Sequence, residues 1–431
     1  MKKIYLGLLG FGNVGSEVVK ILRARRSLLR KKLGCDLVLK KVCEKDLVSK
    51  RAIQLSRDIL TSDANQILND PEIDIVIELI GGIHPAKEYI MQALNKGKYV
   101  VTANKALLAE HGKEIFNLAK QHGKTIYFEA SVGAGIPIIK SLKEGLAADR
   151  FTRIFGILNG TSNFILTSMS ERKVGFSQAL AQAQKYGFAE RKPSLDIQGI
   201  DSLHKLIVLV YLCFGKLVNL NDIFVDGIEH ISLLDVIYSK ELGYQIKLLA
   251  IAQKEGRELE LRVHPTLIPG EHLLAQVKGI NNAIYVSSDL AGDLLFFGPG
   301  AGSVAAASAV ISDLQNAALD LQAGLFRRKI YPIEDTSIKR IRQIDQTQSR
   351  YYIRFMVVDR PGVLAAISGI LAKFDISIAS VTQKERKRAK VVPIVMIVHE
   401  VMEKNLRMAL KRIERLDVVK QRPVAIRIEQ I

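Results

Sequence analysis

Gly10-Phe11-Gly12-Asn13-Val14-Gly15 follows an apolar run at 4–9 and precedes a segment, 16–26, with helical periodicity. G-x-G-x-x-G reads as a dinucleotide fingerprint only when a strand leads into it and a helix leads out, at the start of a βαβ unit. Elsewhere the same residues form an ordinary glycine-rich turn. Gly10 permits the tight turn, Gly12 lets a pyrophosphate approach the backbone, and Gly15 packs helix on strand. The free N–H groups at the helix start then face the phosphates, so Phe11, Asn13 and Val14 join the glycines as cofactor contacts.

The end of the second strand should read the ribose. Glu44 there favours a free 2′-hydroxyl, as in NAD, whereas Lys45, Lys50 and Arg51 favour the 2′-phosphate of NADP. The basic residues outnumber the acid, which favours NADP and leaves NAD open.

Outward from the glycine turn, the first ~130 residues alternate strand and helix patterns, as a parallel sheet covered on both faces does. Strands are expected at 4–9, 37–43, 73–79, 99–102 and 125–128, and helices at 85–95 and 110–121. After Gly135 the alternation stops. Helices at 177–186, 201–214 and 242–255 with short strands suggest an α+β domain, and an Ala-rich helix follows at 305–319. Residues 331–349 are polar and aperiodic and read as a linker. Beyond it come a strand (351–357), a helix (362–374), two strands (376–382 and 391–398), a helix (405–416) and a strand (424–429). That βαββαβ order is the ferredoxin-like motif. The fold class is therefore α/β. A Rossmann-type domain at 1–135, with 303–330 packing back on it, precedes a central substrate and dimerisation domain at 136–302 and a C-terminal domain at 350–431.

The chain has 431 residues, enough for two or three domains, and 48% of them are hydrophobic against 25% charged, a globular balance. The longest strongly apolar run, 206–214, is far short of a membrane span. Glycines interrupt the apolar N-terminus and no small-residue cleavage site follows, so it reads as a first strand in a cytoplasmic protein. The formal net charge of +18 suggests nucleic acid, but Lys and Arg are spread along the whole length. The two dense runs, 23–32 and 384–390, read as an amphipathic helix and a hairpin turn with solvated faces. Cys35, Cys43 and Cys213 match no zinc or redox spacing, and the eight histidines form no H-x-x-x-H pattern. No nucleic-acid, membrane or zinc role is expected.

The most informative stretch is Ala189-Glu190-Arg191-Lys192-Pro193-Ser194-Leu195-Asp196-Ile197-Gln198-Gly199-Ile200-Asp201-Ser202-Leu203-His204-Lys205. Asp201 and Lys205 lie four apart at the start of a long helix and share a face. Glu190 and Asp196 precede them in a loop containing proline and glycine. Three carboxylates near one lysine could hold a substrate ammonium and move a proton. On the residues alone, a capped helix with a surface ion pair remains an equal alternative.

This stretch resembles the signature of homoserine dehydrogenase, from a turn like Tyr186-Gly187-Phe188 through D-x-x-G-x-D-x-x-x-K. Similar to the same family are Val101-Thr102-Ala103-Asn104-Lys105, Glu129-Ala130-Ser131-Val132-Gly133-Ala134-Gly135-Ile136-Pro137, Asn159-Gly160-Thr161-Ser162-Asn163-Phe164 and Gly298-Pro299-Gly300-Ala301-Gly302. The C-terminal unit resembles an ACT regulatory domain, notably at Val358-Asp359-Arg360-Pro361-Gly362-Val363-Leu364. The resemblance spans essentially the whole chain, in order, and points to the bacterial monofunctional form.

It implies interconversion of aspartate 4-semialdehyde and homoserine, on the route to threonine, methionine and isoleucine. Lys205 takes the proton-donor position, and Lys105, beside cofactor and substrate, is its rival. Glu190, Asp196 and Asp201 take the positions that bind the substrate amino group or orient the lysine. Thr102, Gly187, Glu190, Gly300 and Gly302 join Lys45 and Lys105 around the cofactor. Glu129, with carbonyls at Val132, Ala134 and Ile136, takes the position of a monovalent-cation site, usually Na⁺. Asp359, Gly362, Val363 and Leu364 would receive an effector such as threonine, and the oligomer would be a homodimer or homotetramer. A cationic acid beside a carbonyl suits hydride reduction, because it stabilises the developing alkoxide and supplies its proton. Three positions depart from the family pattern: Lys192 where an acid usually precedes Pro193, Ala306 where threonine is frequent, and Val398 before His399. Two alternatives stay open: a dehydrogenase of another small amino-acid semialdehyde, and a catalytically decayed amino-acid sensor.

Overall fold

Strand β1 (Lys2–Leu9) is buried along most of its length, with Ile4, Leu6 and Leu8 fully enclosed. A strand hidden on both faces belongs in a parallel sheet covered by helices. The computed structural model describes residues 1–48, 53–324, 332–383 and 391–431. Among these, β1 is joined by β2 (Cys35–Cys43), β3 (Leu60–Thr61), β4 (Ile73–Glu78), β5 (Tyr99–Thr102) and β6 (Ile126–Tyr127) in the order β3-β2-β1-β4-β5-β6. Every pairing is parallel. The strand order reverses between β1 and β4, and a ligand of such a sheet binds there, outside the carboxyl ends of the strands. The expected strands start and end within two residues of the observed ones; only the two-residue β3 has no counterpart in the sequence reading.

The chain forms two compact units. One comprises Met1–Phe151, His204–Leu220 and Asn282–Asp335, the other Thr152–Leu203, Asn221–Asn281 and Thr336–Ile431. In the first, helix Asn13–Ala24 buries Val18, Val19 and Leu22 against the sheet. The same core takes in Ala307, Val310, Ile311, Leu314, Ala317 and Ala318 from helix Ser303–Gln322, whose small side chains permit close approach. The basic run at 23–32 lies on helices Asn13–Ala24 and Arg26–Leu33, and the latter buries only Leu29 and Leu33. No helix among the described residues is long and apolar enough to cross a membrane.

In the second unit, strands run side by side in the order Phe151–Ile157, Tyr244–Glu255, Glu258–Pro269, Val424–Ile428, Gln348–Val358, Val391–Met402, Ile378–Thr382. The last four, with helices Val363–Ala372 and Glu403–Ile413, make the expected βαββαβ unit. Its core holds Tyr351, Phe355, Ile367, Leu371, Met396 and Leu406.

The expected helix at 242–255 is instead strand Tyr244–Glu255, paired antiparallel with Glu258–Pro269 across Gly256-Arg257. Residues 246–252 are buried without a break. The apolar run 248–252 is too short to carry a period that separates strand from helix, and the turn at Gly256 (φ +58°) marks the strand's end. The stretch expected as a linker also carries structure: Arg340–Arg342 is a strand parallel to Glu258–Glu260. Lys50, Arg51, the charged turn at 384–390 and positions 325–331 lie outside the described residues.

Candidate active site

The glycine loop divides its three glycines between two jobs. Gly10 has φ +95°, and a Cβ there would lie 2.7 Å from the Leu79 carbonyl; its N–H donates to the Cys43 carbonyl at 2.9 Å. A Cβ on Gly15 would lie 2.3 Å from the Gly10 carbonyl oxygen. These two are required by the loop itself. A Cβ on Gly12 would meet nothing within 4 Å, so that position stays open to an incoming group. Asn13 and Val14 follow in the first turn, where N–H groups have no intrahelical partner. An open glycine beside such donors fits a dinucleotide pyrophosphate. The Phe11 ring belongs to the core and its N–H donates to Glu44 Oε2 at 2.8 Å, so it organises the loop from within. The other Glu44 oxygen accepts from the Lys45 and Asp46 N–H groups at 2.8 and 3.3 Å. Lys45 itself is exposed.

At the ends of β4 and β5 a buried carboxylate, unremarked in the sequence reading, sets the loops. Glu78 is fully enclosed and accepts from the Ile80 N–H at 2.8 Å and the Thr102 hydroxyl at 2.6 Å. Thr102 is likewise fully enclosed. Asn104 caps helix Lys105–Gln121 by accepting from the Leu107 N–H, and it donates to the Gly82 carbonyl at 2.6 Å. Lys105, half-buried, is the first residue of that helix.

Lys205 lies in the same unit. Its neighbour His204 approaches Glu110 at 3.9 Å, and Tyr211 stacks on Phe116 with ring centroids 4.5 Å apart. Both contacts advance together, so the two helices run in the same sense and carry Lys105 and Lys205 towards their N-terminal ends. Lys205 is buried, and on its own helix, Ile200–Phe214, it stands one turn after the equally buried Asp201.

In the other unit one amide joins two of the expected carboxylates. Asn159 Nδ2 donates to Asp196 Oδ1 at 2.7 Å and to Asp201 Oδ2 at 2.9 Å. Its Oδ1 accepts from the Ser162 N–H at 2.8 Å and so caps helix Gly160–Arg172. The Ser162 hydroxyl in turn donates to the Asp196 carbonyl at 2.8 Å. The capping signal is visible in the sequence, an Asn preceding Gly-Thr-Ser, but the bridge to two carboxylates is not. Glu190 is exposed, its carbonyl held by Gln184 Nε2 at 3.1 Å, and it does not join the pair. Gly187, at φ +74°, turns the chain off helix Phe176–Lys185 towards it. Lys192 is exposed in this loop.

Glu129 is buried, and its carboxylate oxygens accept from the Ile139 and Lys140 N–H groups at 2.9 and 2.8 Å. Its own N–H donates to Asp313 at 2.8 Å. Burial pushes the Glu129 carboxyl up, against the opposing backbone donors. Burial and then Glu129 push Asp313 well above the usual carboxylate range. Gly133 (φ +72°) and Ala134 (φ +46°) bend the Val132–Ile136 segment, and Ala134 is a rare non-glycine residue in that conformation. Two buried carboxylates thus lie side by side, each accepting from backbone N–H groups. The Gly298–Gly302 loop abuts this segment: a Cβ on Gly298 would lie 3.2 Å from the Ile136 side chain. On Gly300 it would overlap the Asn282 side chain at 1.9 Å, and Gly302 has φ +120°. No group of three or more His, Cys, Asp and Glu suited to a metal occurs among the described residues.

In the C-terminal unit, Gly362 (φ +88°) is the N-cap of helix Val363–Ala372. Val363 is buried in the core, whereas Leu364 is exposed and Asp359 half-exposed.

Comparison with known proteins covers the chain from end to end. Residues 10–129 match the homoserine dehydrogenase NAD-binding domain, 137–315 homoserine dehydrogenase, and 351–418 the ACT domain. The homoserine dehydrogenase of Neisseria gonorrhoeae is 40% identical over 100% of both chains. The crystal structure of a homoserine dehydrogenase from Thiobacillus denitrificans is 42% identical, with a TM-score of 0.92 over 100% of this chain and 99% of that one. A hyperthermophilic archaeal homoserine dehydrogenase in complex with NADPH is 26% identical, with a TM-score of 0.62 over 74% of this chain and 98% of its own. At this identity and coverage, the chain belongs to the homoserine dehydrogenase family and is an NAD(P)-dependent oxidoreductase.

Proposed function

We propose that the enzyme interconverts L-aspartate 4-semialdehyde and L-homoserine, in the cytoplasmic route to threonine, methionine and isoleucine. The observation that carries this reading is the Asn159 amide holding Asp196 and Asp201 together. Two carboxylates so paired suit the substrate ammonium, with Glu190 supplying a further charge from its loop. Lys205 donates the proton to the carbonyl oxygen, and Lys105 orients the substrate beside the cofactor. The nicotinamide, when bound, supplies or accepts the hydride. The protein supplies orientation and a cation at the developing alkoxide.

The preferred cofactor is NADP. Glu44 already accepts from three backbone N–H groups around the glycine loop, which leaves it poorly placed to receive a ribose hydroxyl, and exposed Lys45 follows it. The archaeal relative's NADPH supports the same choice. Gly300 and Gly302 give the loop that closes over the nicotinamide. A Na⁺ ion, where bound, would be held by Glu129 and the carbonyls of Val132, Ala134 and Ile136, and its role is structural. Threonine is the proposed effector, received near Asp359, Gly362, Val363 and Leu364 in a homodimer or homotetramer.

The test is a rate comparison of wild type, Lys105→Ala and Lys205→Ala with aspartate semialdehyde and each cofactor. Lys205→Ala should lower the maximal rate by roughly 10²–10⁴. The reading fails if the semialdehyde is not turned over. If Lys105→Ala alone causes that loss, the two lysines exchange roles.

A further inference from the structure

Lys247 is buried in strand Tyr244–Glu255. Its ammonium donates to Asn163 Oδ1 at 3.2 Å and to the Val277 carbonyl. Neither acceptor is a carboxylate. Burial, and then Lys278, draw its pKa down to about 8, against a weaker pull from Glu171. A charge buried at such a cost needs a structural return, and the hydrogen bonds around it supply one.

The bond to Lys247 fixes which way the Asn163 amide faces. Asn163 Nδ2 then points at the carbonyls of Val277, Gly279 and Asn281, at 3.2, 3.1 and 3.2 Å. One turn on, Thr167 accepts from the Gly279 N–H at 3.2 Å. Together these side chains clamp loop 277–281 onto helix Gly160–Arg172. The clamp ends beside the acidic pair. The Ile280 carbonyl oxygen lies 2.6 Å from where a Cβ of Gly160 would sit, and Gly160 follows Asn159 directly.

We infer that Lys247 is a positioning residue for the substrate carboxylates, holding the Asn163 amide and loop 277–281 so that the helix start presents Asn159 to both Asp196 and Asp201. The inference rests on the reading that this pair receives the substrate ammonium. Only the substrate arm of the kinetics should depend on it, since none of these residues lies in the nucleotide-binding unit.

The experiment is steady-state kinetics of full-length Lys247→Met, a side chain of similar length without donors. The KM for the amino-acid substrate should rise about tenfold, as expected when a positioning hydrogen bond is lost, while the cofactor KM and kcat stay within about twofold. Asn163→Asp is the second variant. It keeps an acceptor for Lys247 but loses the grip on the three carbonyls, so it should reproduce the split; it decides the matter if Lys247→Met does not fold. An unchanged substrate KM, or a parallel fall in all constants, overturns the inference. Failure of wild type to turn over homoserine or the semialdehyde would overturn the underlying reading instead.

Discussion

Asn159 Nδ2 lies 2.9 Å from Asp201 Oδ2, while the same side chain's oxygen caps helix Gly160–Arg172. Cap and bridge can be separated. Asn159→Ser keeps an N-capping hydroxyl but cannot reach both carboxylates. Thermal stability should change by no more than about 1 kcal/mol. The substrate KM should rise at least tenfold on the scale expected for a lost charge-assisted hydrogen bond. Calorimetry and initial rates on one preparation check both.

The glycine loop offers a matched pair of variants. Gly12→Ala adds a methyl group into open space, so folding should be unaffected while the cofactor KM rises steeply. Gly15→Ala drives a methyl group to 2.3 Å from the Gly10 carbonyl oxygen, so the fold should lose about 1–3 kcal/mol. Melting curves with and without cofactor distinguish the two outcomes.

A pH dependence follows from Lys247. Its folded pKa, about 8, is below the ordinary 10.5, so the native state sheds this proton before the unfolded chain does. Between those values the unfolded state binds more protons, and stability rises with pH. The cost is fully present below pH 8 and disappears as pH climbs towards 10.5. Relative to Lys247→Met, wild type should therefore gain stability between pH 8 and 10, measured by denaturant midpoints. Parallel curves would contradict this.

Glu129 and Asp313 have the opposite dependence. Both carboxyls are raised, so the native state holds protons that the unfolded chain has released, and stability falls as pH passes upward out of the ordinary carboxylate range. A bound monovalent cation should offset that loss. At pH 8, replacing choline chloride with NaCl at constant ionic strength should raise the Tm. Asp313→Asn, which keeps an acceptor for the Glu129 N–H, should shrink the effect.

Threonine should lower the rate of wild type and leave Asp359→Ala unaffected, with heat of binding detectable only for wild type. Equal inhibition of both would place the effector elsewhere.

The strands of the first unit were legible because a two-sided parallel sheet writes itself as short apolar runs between turn residues. Asp196 and Asp201 stood out in the sequence, but the one amide that joins them did not. Other features were not legible. Strand Tyr244–Glu255 hid behind the short apolar run 248–252, which carries no period. The Asn159 bridge and the Glu78 anchor depend on partners 37 and 24 residues away, which no local pattern reveals. Nor does the motif spelling reveal that Thr102 is fully enclosed or that the Phe11 N–H is engaged by Glu44.

Strand Glu258–Pro269 is flanked on one side by Tyr244–Glu255 along its full length. On the other side it is covered piecemeal by Arg340–Arg342, Phe224–Val225 and Val424–Ile428. Two of those three patches come from beyond residue 335. A gene fragment ending there would leave most of that flank as bare amides and carbonyls, a template for chain-to-chain stacking. Trimming the segment beyond residue 335 should therefore be seen first in the pellet.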